Sequence, residues 1–491
     1  AFLTPASSSA ASTFVVTSQE DAPDANPGDG SCAAAAGVCT LRAAVMEANA
    51  GPDTDRIELS GATYGLTLPG ADEDASEIGD LDVLADLTIA GAAATGTVVR
   101  GAWGGQPDRL FEVVAGSLTL SDLSVTGGVV TSAEGDIRQG GGIRVEQDAG
   151  LSLQRVVVES NRVEGADGSG GGLFVAGAAS IEASVFTEND VAGRGGGLRV
   201  IGSATLRNVT LNGNSATDDG GGLAVTGSVT LNNVTVTNNV ADRHASVAGD
   251  GGGIEVDPGA SATVANSILG DNRDPSTEGE QHPDCSGAIA SGGNNLIEQM
   301  TGCSGSVESD ITGVDPARLG FADHGGPTPT DALRANSPAI DNGSRAPAGG
   351  GGACEPTDQR GVPRDTCDIG AFERVLCDEV HVVLVGTAGS DLLVGGPGPD
   401  GVLAFGGNDV VHTKTGDDAV CGGEGKDRIR GGAGTDRLLG ELGKDRLFGQ
   451  AGGDRLQGGP GRDRLAGGGR RDVCRGGRGK DRSRTCERGR A

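Results

Sequence analysis

The chain has 491 residues, of which 90 are glycine and only 2% aromatic, and its formal net charge is −30. That length allows more than one domain with a sizeable core, whereas the glycine content lacks the third-position period of collagen and suits thin stacked coils in which rings find little room. No apolar run approaches the roughly 18 residues that a membrane-spanning helix requires.

The opening stretch "AFLTPASSSAAS" starts without methionine and reads as the remnant of an export segment or a leader, over residues 1–13. Residues 14–55 read as an N-terminal cap. Within them "CTLRAAVMEANA", Cys39 to Ala50, places Leu41, Ala44, Val45 and Ala48 on one helical face, beside the close pair Cys32 and Cys39. A cap is expected because the open end of a solenoid exposes unpaired strand edges and apolar core.

Residues 56–310 hold a long repeat. Triple glycines end at Gly142, Gly172, Gly197, Gly222 and Gly253, and "GGGLRVIGSATLRNVTLNGNSATDD" aligns letter by letter with "GGGLAVTGSVTLNNVTVTNNVADRH". Each central unit of 25 residues contains three short alternating β-branched runs separated by turn residues, which predicts three strands per coil of a right-handed parallel β-helix. Asn189, Asn214 and Asn239 share one register, Asn208 and Asn233 another, so their amides are expected to hydrogen-bond up the stack. The insertions "VEGADGSGGG" and "ADRHASVAGDGGG" must leave one face as loops. Residues 311–376 are expected to close the β-helix.

Ten cysteines fall mostly in near neighbours, Cys32 with Cys39, Cys285 with Cys303, Cys354 with Cys367 and Cys474 with Cys486, leaving Cys377 and Cys421. No C-x-x-C spacing of a zinc site occurs, so five disulfides and an oxidising, extracellular location are expected.

Residues 377–491 repeat on a nine-residue period. Asp391, Asp400, Asp409, Asp418, Asp427, Asp436, Asp445, Asp454, Asp463, Asp472 and Asp481 never slip, and each unit reads G-G-x-G-x-D-x-U-x with U apolar, from Leu393 to Leu465. The glycines suit a tight turn and the apolar U a very short strand with one buried face. Two units then make an 18-residue coil of a parallel β-roll, which places aspartates 18 apart at about 4.8 Å, the inter-strand spacing. Like charges that close repel by about 1 kcal/mol even in water, and a hard divalent cation held by carboxylates and turn carbonyls removes the repulsion. Calcium is therefore expected at Asp391, Asp400, Asp409, Asp418, Asp427, Asp436, Asp445, Asp454 and Asp463.

Residues 421–491 hold 18 Lys and Arg against 10 Asp and Glu, reversing the acidity of the rest. Lys426 and Arg428, Lys444 and Arg446, Arg462 and Arg464, and Lys480 and Arg482 flank alternate aspartates, so all fall on one side of the roll. Cations beside a carboxylate compete with calcium, which predicts weaker sites on that side and better ones at Asp400, Asp418, Asp436 and Asp454. The basic side suits an anionic wall or extracellular polysaccharide or an acidic neighbour. Single-stranded nucleic acid fits less well, for want of stacking aromatics.

For catalysis the sequence offers Arg194 and Arg199, or Asp218 and Asp219, as charges on one groove, the bland alternative being solvated turns. His244, His282, His324, His381 and His412 are scattered, with no nucleophile motif beside them, and Trp103 and Tyr64 are the sole Trp and Tyr, too few for a sugar-stacking platform.

The nonapeptides from about residue 386 to 483 resemble the hemolysin-type (RTX) calcium-binding repeat. Phe14 to Gly128 resembles the CSLREA-type region that precedes bacterial β-helix proteins, its signature standing here as Cys39-Thr40-Leu41-Arg42-Ala43-Ala44, a departure at two letters. "NSPAIDNGS", "DQRGVPR" and "CDIGAFE", between Asn336 and Glu373, resemble the choice-of-anchor Q region that closes such helices. Together the readings predict an all-β chain: a parallel β-helix with a helical cap, then a calcium-binding β-roll. The expected role is a non-enzymatic, exported surface or matrix protein for structure or adhesion. A polysaccharide lyase or hydrolase, and a fibre subunit that assembles with itself end to end, are the alternatives.

Overall fold

The computed structural model of the chain describes residues 11–70, 75–105, 107–131, 138–244, 249–277, 281–344, 353–364 and 366–486. Most of the leader-like stretch and part of the second insertion, residues 245–248, lie outside them. The chain divides into two compact units, one of residues 1–321, 333–359 and 363–373, the other of 322–332, 360–362 and 374–491.

The first unit is a parallel β-helix. Three strands recur in every coil, as in Leu198–Val200, Ser203–Arg207 and Thr210–Asn212. Each pairs in parallel with the next coil 25 residues on, at Leu223–Val225, Ser228–Asn232 and Thr235–Thr237. Apolar residues at strand positions facing inward stack into one continuous core, with Leu198, Val200, Leu206, Leu211, Leu223, Val225, Leu231 and Val236 wholly buried. A fourth strand of two residues, unforeseen from the sequence, appears in four coils at Val129–Val130, Arg162–Val163, Asp190–Val191 and Ser215–Ala216. Its brevity hid it, since two residues carry no alternation to detect.

The triple glycines and the asparagine register are one device. Gly220 has φ +66°, a left-handed turn, and a Cβ on Gly221 would lie 2.5 Å from the Gly252 carbonyl oxygen of the next coil. A Cβ on Gly222 would come within 3.1 Å of the Asn239 side chain. The glycines thus bring the turn against a buried amide ladder: Asn161, Asn189, Asn214 and Asn239 each donate through Nδ2 to Oδ1 of the following asparagine at 2.9–3.0 Å, ending Asn239 to Asn272 and Asn272 to Asp284.

Asn208 and Asn233 do not stack in this way. Both have φ +51° at the corner of their coil, a backbone state that asparagine tolerates better than most residues. Their side chains turn outward to the segment 353–371: Asn208 donates to the Thr357 carbonyl at 2.9 Å, and Asn233 accepts from the Glu355 N–H at 2.9 Å and donates to the Gly370 carbonyl at 3.2 Å. Arg364, buried, holds Asn208 and Glu373. This part of the segment resembling the choice-of-anchor region lies along the flank of successive coils.

The helix Leu41–Asn49 opens at Thr40, whose hydroxyl accepts from the Ala43 N–H. It differs from the expected one-sided helix in being buried all round from Leu41 to Ala48. Arg42 explains the difference: its guanidinium meets Asp21 at 2.6 Å and the carbonyls of Ser76, Gly79 and Asp80, so the polar face is closed by an ion pair and three acceptors. The strand Thr13–Val15 pairs in parallel with Asp55–Glu58.

The second unit is a β-roll whose coils return every 18 residues. Arg437–Leu439 pairs with Ala419–Cys421 before it and Arg455–Gln457 after it, and Arg446–Ala451 pairs with Arg428–Ala433 and Arg464–Gly469. Val402, Val411, Val420, Ile429, Leu438, Leu447, Leu456 and Leu465, the U positions, form its buried spine. The two sides are unequal, with strands of three residues following Asp400, Asp418, Asp436 and Asp454, and of six following Asp409, Asp427, Asp445 and Asp463. All five disulfides join the cysteines paired by proximity, together with Cys377 to Cys421. No helix of the described residues is long and apolar enough to cross a membrane.

Candidate metal centre

Each nonapeptide of the roll turns at its glycines, and its aspartate points inward before the strand begins. The aspartates are almost wholly inaccessible from Asp409 to Asp472. One carboxylate oxygen of each accepts the backbone N–H of the aspartate 18 residues earlier: Asp436 N–H to Asp454 Oδ1 at 3.0 Å, and Asp427 N–H to Asp445 Oδ1 at 3.0 Å. Two such ladders run along the roll, one through Asp391, Asp409, Asp427, Asp445, Asp463 and Asp481, the other through Asp400, Asp418, Asp436, Asp454 and Asp472.

The other oxygen is left over. Oδ2 of Asp409, Asp418, Asp427, Asp436, Asp445, Asp454, Asp463 and Asp472 is buried and accepts no hydrogen bond, a costly state for a charged group. Burial, with the charges of neighbouring rungs adding to it, raises the Asp427 carboxyl to a pKa of about 6 and those of Asp436 and Asp445 to about 7. The first glycine of each unit makes room for this oxygen: a Cβ on Gly431 would stand 2.1 Å from Asp436 Oδ2, and one on Gly449 the same distance from Asp454 Oδ2. Buried, unsatisfied carboxylate oxygens repeating beside turn carbonyls are a donor set that a hard divalent cation fits.

The nine aspartates singled out from the sequence are therefore brought into two files, with two differences among them. Asp391 and Asp400, at the start, spend Oδ2 on their own turns, accepting from the Thr387 N–H at 2.6 Å and the Gly396 N–H at 2.8 Å. Asp472, not singled out, has the same unsatisfied oxygen as its neighbours; Arg470, in place of the usual glycine, obscured it in the sequence. The cations flanking Asp427, Asp445 and Asp463 were expected to compete for the carboxylates, yet none lies within ion-pairing distance of them. Position parity explains this, because residues on either side of an inward-pointing aspartate point outward.

In the β-helix, Arg194 and Arg199 are drawn together with Asp219, Glu255 and Asp257; Arg194 reaches Asp219 at 2.9 Å and Glu255 at 2.7 Å. Burial raises the Glu255 carboxyl to a pKa of about 8, the nearby Asp257 adding to it. Glu255 went unnoticed in the sequence, although it sits in strand register with Ala224 and, one coil earlier, Arg199. Asp218 has a raised pKa by burial and by Asp219. A second charged cluster gathers Asp80, Asp82, Asp108 and Glu112 around Arg109 and Arg144. Of the histidines, His282 pairs with Asp250 at 2.6 Å.

Among known proteins, the RTX calcium-binding nonapeptide repeat matches residues 385–420, 422–456 and 448–482. No curated protein matches the chain. Among solved structures, pectate lyase Pel9A aligns at 16% identity over 75% of this chain and 98% of its own, with a TM-score of 0.42. The PL6 family alginate lyase AlyGC aligns at 11% identity over 90% and 78%, with a TM-score of 0.21. The C-terminal region of this parallel β-helix chain thus carries RTX calcium-binding repeats.

Proposed function

We propose that the protein is an exported, extracellular structural or adhesive component whose roll is completed by calcium held between Asp409, Asp427, Asp445 and Asp463 on one file and Asp418, Asp436 and Asp454 on the other, with Asp391 and Asp400 ending the files. The observation that carries the reading is the repeated buried Oδ2 that accepts no hydrogen bond. A chain making such oxygens at every turn is incomplete without a cation, and extracellular calcium is the abundant hard divalent ion that binds such modules in the millimolar range. Coupling of metal to folding would leave the roll loose inside a cell and firm outside, while five disulfides suit the same oxidising surroundings. Residues 14–55 then serve as the cap, 56–310 as the β-helix, 311–376 as its closing region and 377–491 as the calcium-dependent roll.

The test is a calcium titration of the full chain followed by hydrogen exchange. Protection over 385–482 that rises with calcium and vanishes in chelator supports the reading; protection indifferent to both overturns it.

A second reading, a polysaccharide-degrading enzyme, draws on Glu255 between Arg194 and Arg199. Glu255 is only 6% exposed and its partners are already engaged with one another, which favours a structural network. Turnover of acidic glycans that Glu255→Gln abolishes would reverse that preference.

A further inference from the structure

The flank of the roll beside Asp427, Asp445 and Asp463 is a trough of about 590 Å³ lined by Lys426, Arg428, Lys444, Arg446, Arg462, Arg464, Lys480 and Arg482. Arg428, Arg446, Arg464 and Arg482 stand in strict parallel register, one per coil, so guanidinium groups recur at about 4.8 Å, the inter-strand spacing. None of these eight cations has an ion-pair partner among the described residues. The aspartates in the same trough have turned their carboxylates inward to the ladder. Repetition without compensation is unlike the rest of the molecule, where Arg42, Arg109, Arg144, Arg194 and Arg364 are all matched to carboxylates. A rigid file of unmatched cations has its repulsion relieved by a ligand that is itself a file of anions.

We infer that this trough binds a linear acidic polysaccharide, one carrying a sulfate or carboxylate on successive sugars, laid along the axis of the roll. The inference rests on the folded roll proposed above, because the register of the cations exists only there. A polysaccharide suits the site better than a nucleic acid. Only Phe448 offers a ring near the row, and Arg428 already covers it at 5.9 Å, whereas unpaired bases are held mainly by stacking on aromatic faces. The guanidinium forks supply bidentate grip on sulfate or carboxylate, and the lysines supply unoriented charge. Calcium bound at the inward carboxylates adds positive charge beneath the row and so strengthens the grip.

The experiment uses the full chain in saturating calcium, with hydrogen exchange over 385–482 confirming on each sample that the roll is folded. Immobilised dextran sulfate and a hyaluronate surface distinguish sulfate from carboxylate, plain dextran serves as neutral control and oligothymidylate as competitor. Wild type is expected to bind at least one acidic polysaccharide and not dextran, with affinity falling steeply as salt rises. Lys426→Gln/Lys444→Gln/Arg462→Gln/Lys480→Gln is expected to lose at least tenfold in affinity and to flatten the salt slope by roughly three, following counterion release of about 0.7 per charge on a single-stranded polyanion. Arg455→Gln/Arg475→Gln, on the other side, is expected to bind as wild type does. A folded roll that binds neither acidic surface, a quadruple variant with unchanged affinity and slope, or oligothymidylate displacing the glycan at equal charge each overturns the inference while leaving the calcium reading intact. A roll unprotected in calcium overturns that reading instead, and the inference with it.

Discussion

The backbone N–H of Asp436 donates to Oδ1 of Asp454 at 3.0 Å, one coil further along, while Oδ2 of Asp454 accepts nothing. One carboxylate therefore has two separable roles, holding the coil spacing through one oxygen and offering charge through the other. Asp454→Asn keeps the acceptor and removes the charge; Asp454→Ala removes both. The first is expected to bind calcium more weakly with the metal-free stability held or raised. The second also leaves a buried N–H unpaired, a loss of about 1–3 kcal/mol. Calorimetric calcium titration beside urea unfolding in chelator separates the two, and equal behaviour of the variants in chelator would refute the division.

A smaller change tests the space around the same oxygens. A Cβ on Gly431 would lie 2.1 Å from Asp436 Oδ2, whereas one on Gly453 would meet only the Arg471 carbonyl at 3.4 Å. Gly431→Ala is accordingly expected to displace the carboxylate and lower both calcium affinity and the unfolding midpoint. Gly453→Ala is expected to be nearly silent. Matching midpoints for the pair would mean the cradle is looser than its geometry indicates.

The winding of both units was legible because a solenoid writes its period into the chain: the clock at Asp391 to Asp481 set the 18-residue coil, and the triple glycines set the larger one. The inward aspartates were legible for the same reason. What escaped was whatever depended on partners far apart in sequence. Asn208 and Asn214 look alike in the repeat, yet one faces a segment about 150 residues on and the other stacks in the core. Arg42 reads as the polar face of a helix until Asp21 and three carbonyls close around it. The charged clusters at Glu112 and Glu255 arise only when distant coils align, and no local pattern announces them.

In the β-helix ladder, Asn214 donates through Nδ2 to Asn239 and to the Phe186 carbonyl, both at 2.9 Å, and accepts from the backbone N–H and side chain of Asn189. Asn214→Ala leaves several buried groups without partners, each costing about 1–3 kcal/mol. A loss of at least about 3 kcal/mol in the first unit is expected, read by urea unfolding with the roll held in calcium. A loss under about 1 kcal/mol would show that water replaces the ladder readily.

Cys377 and Cys421 are 44 residues apart and bonded within the roll unit. Closing a loop of that length removes roughly 4 kcal/mol of unfolded-chain freedom on the entropic account. The double variant Cys377→Ser/Cys421→Ser should therefore need more calcium to reach the same protection over residues 385–420. An unchanged calcium midpoint would assign the bond no part in organising the start of the roll.

Asp284 ends the asparagine ladder, taking Asn272 Nδ2 at 3.0 Å on one oxygen and the Gln299 N–H at 2.8 Å on the other. Burial raises its pKa to about 6 despite these hydrogen bonds. The folded unit thus holds a proton that the unfolded chain releases at about pH 3.9. The stabilisation from that proton is full below the unfolded value, fades as pH rises and is gone above about 6, which makes this group's contribution more favourable in acid. Each tenfold gain in proton affinity is worth about 1.4 kcal/mol, so the contribution reaches about 3 kcal/mol at most. Asp284→Asn cannot titrate, so the difference in unfolding free energy between wild type and this variant, measured from pH 4 to 7.5, should change across that window and level off above it. A difference independent of pH would mean that Asp284 stays charged where it is buried, and that the ladder's amides alone satisfy it.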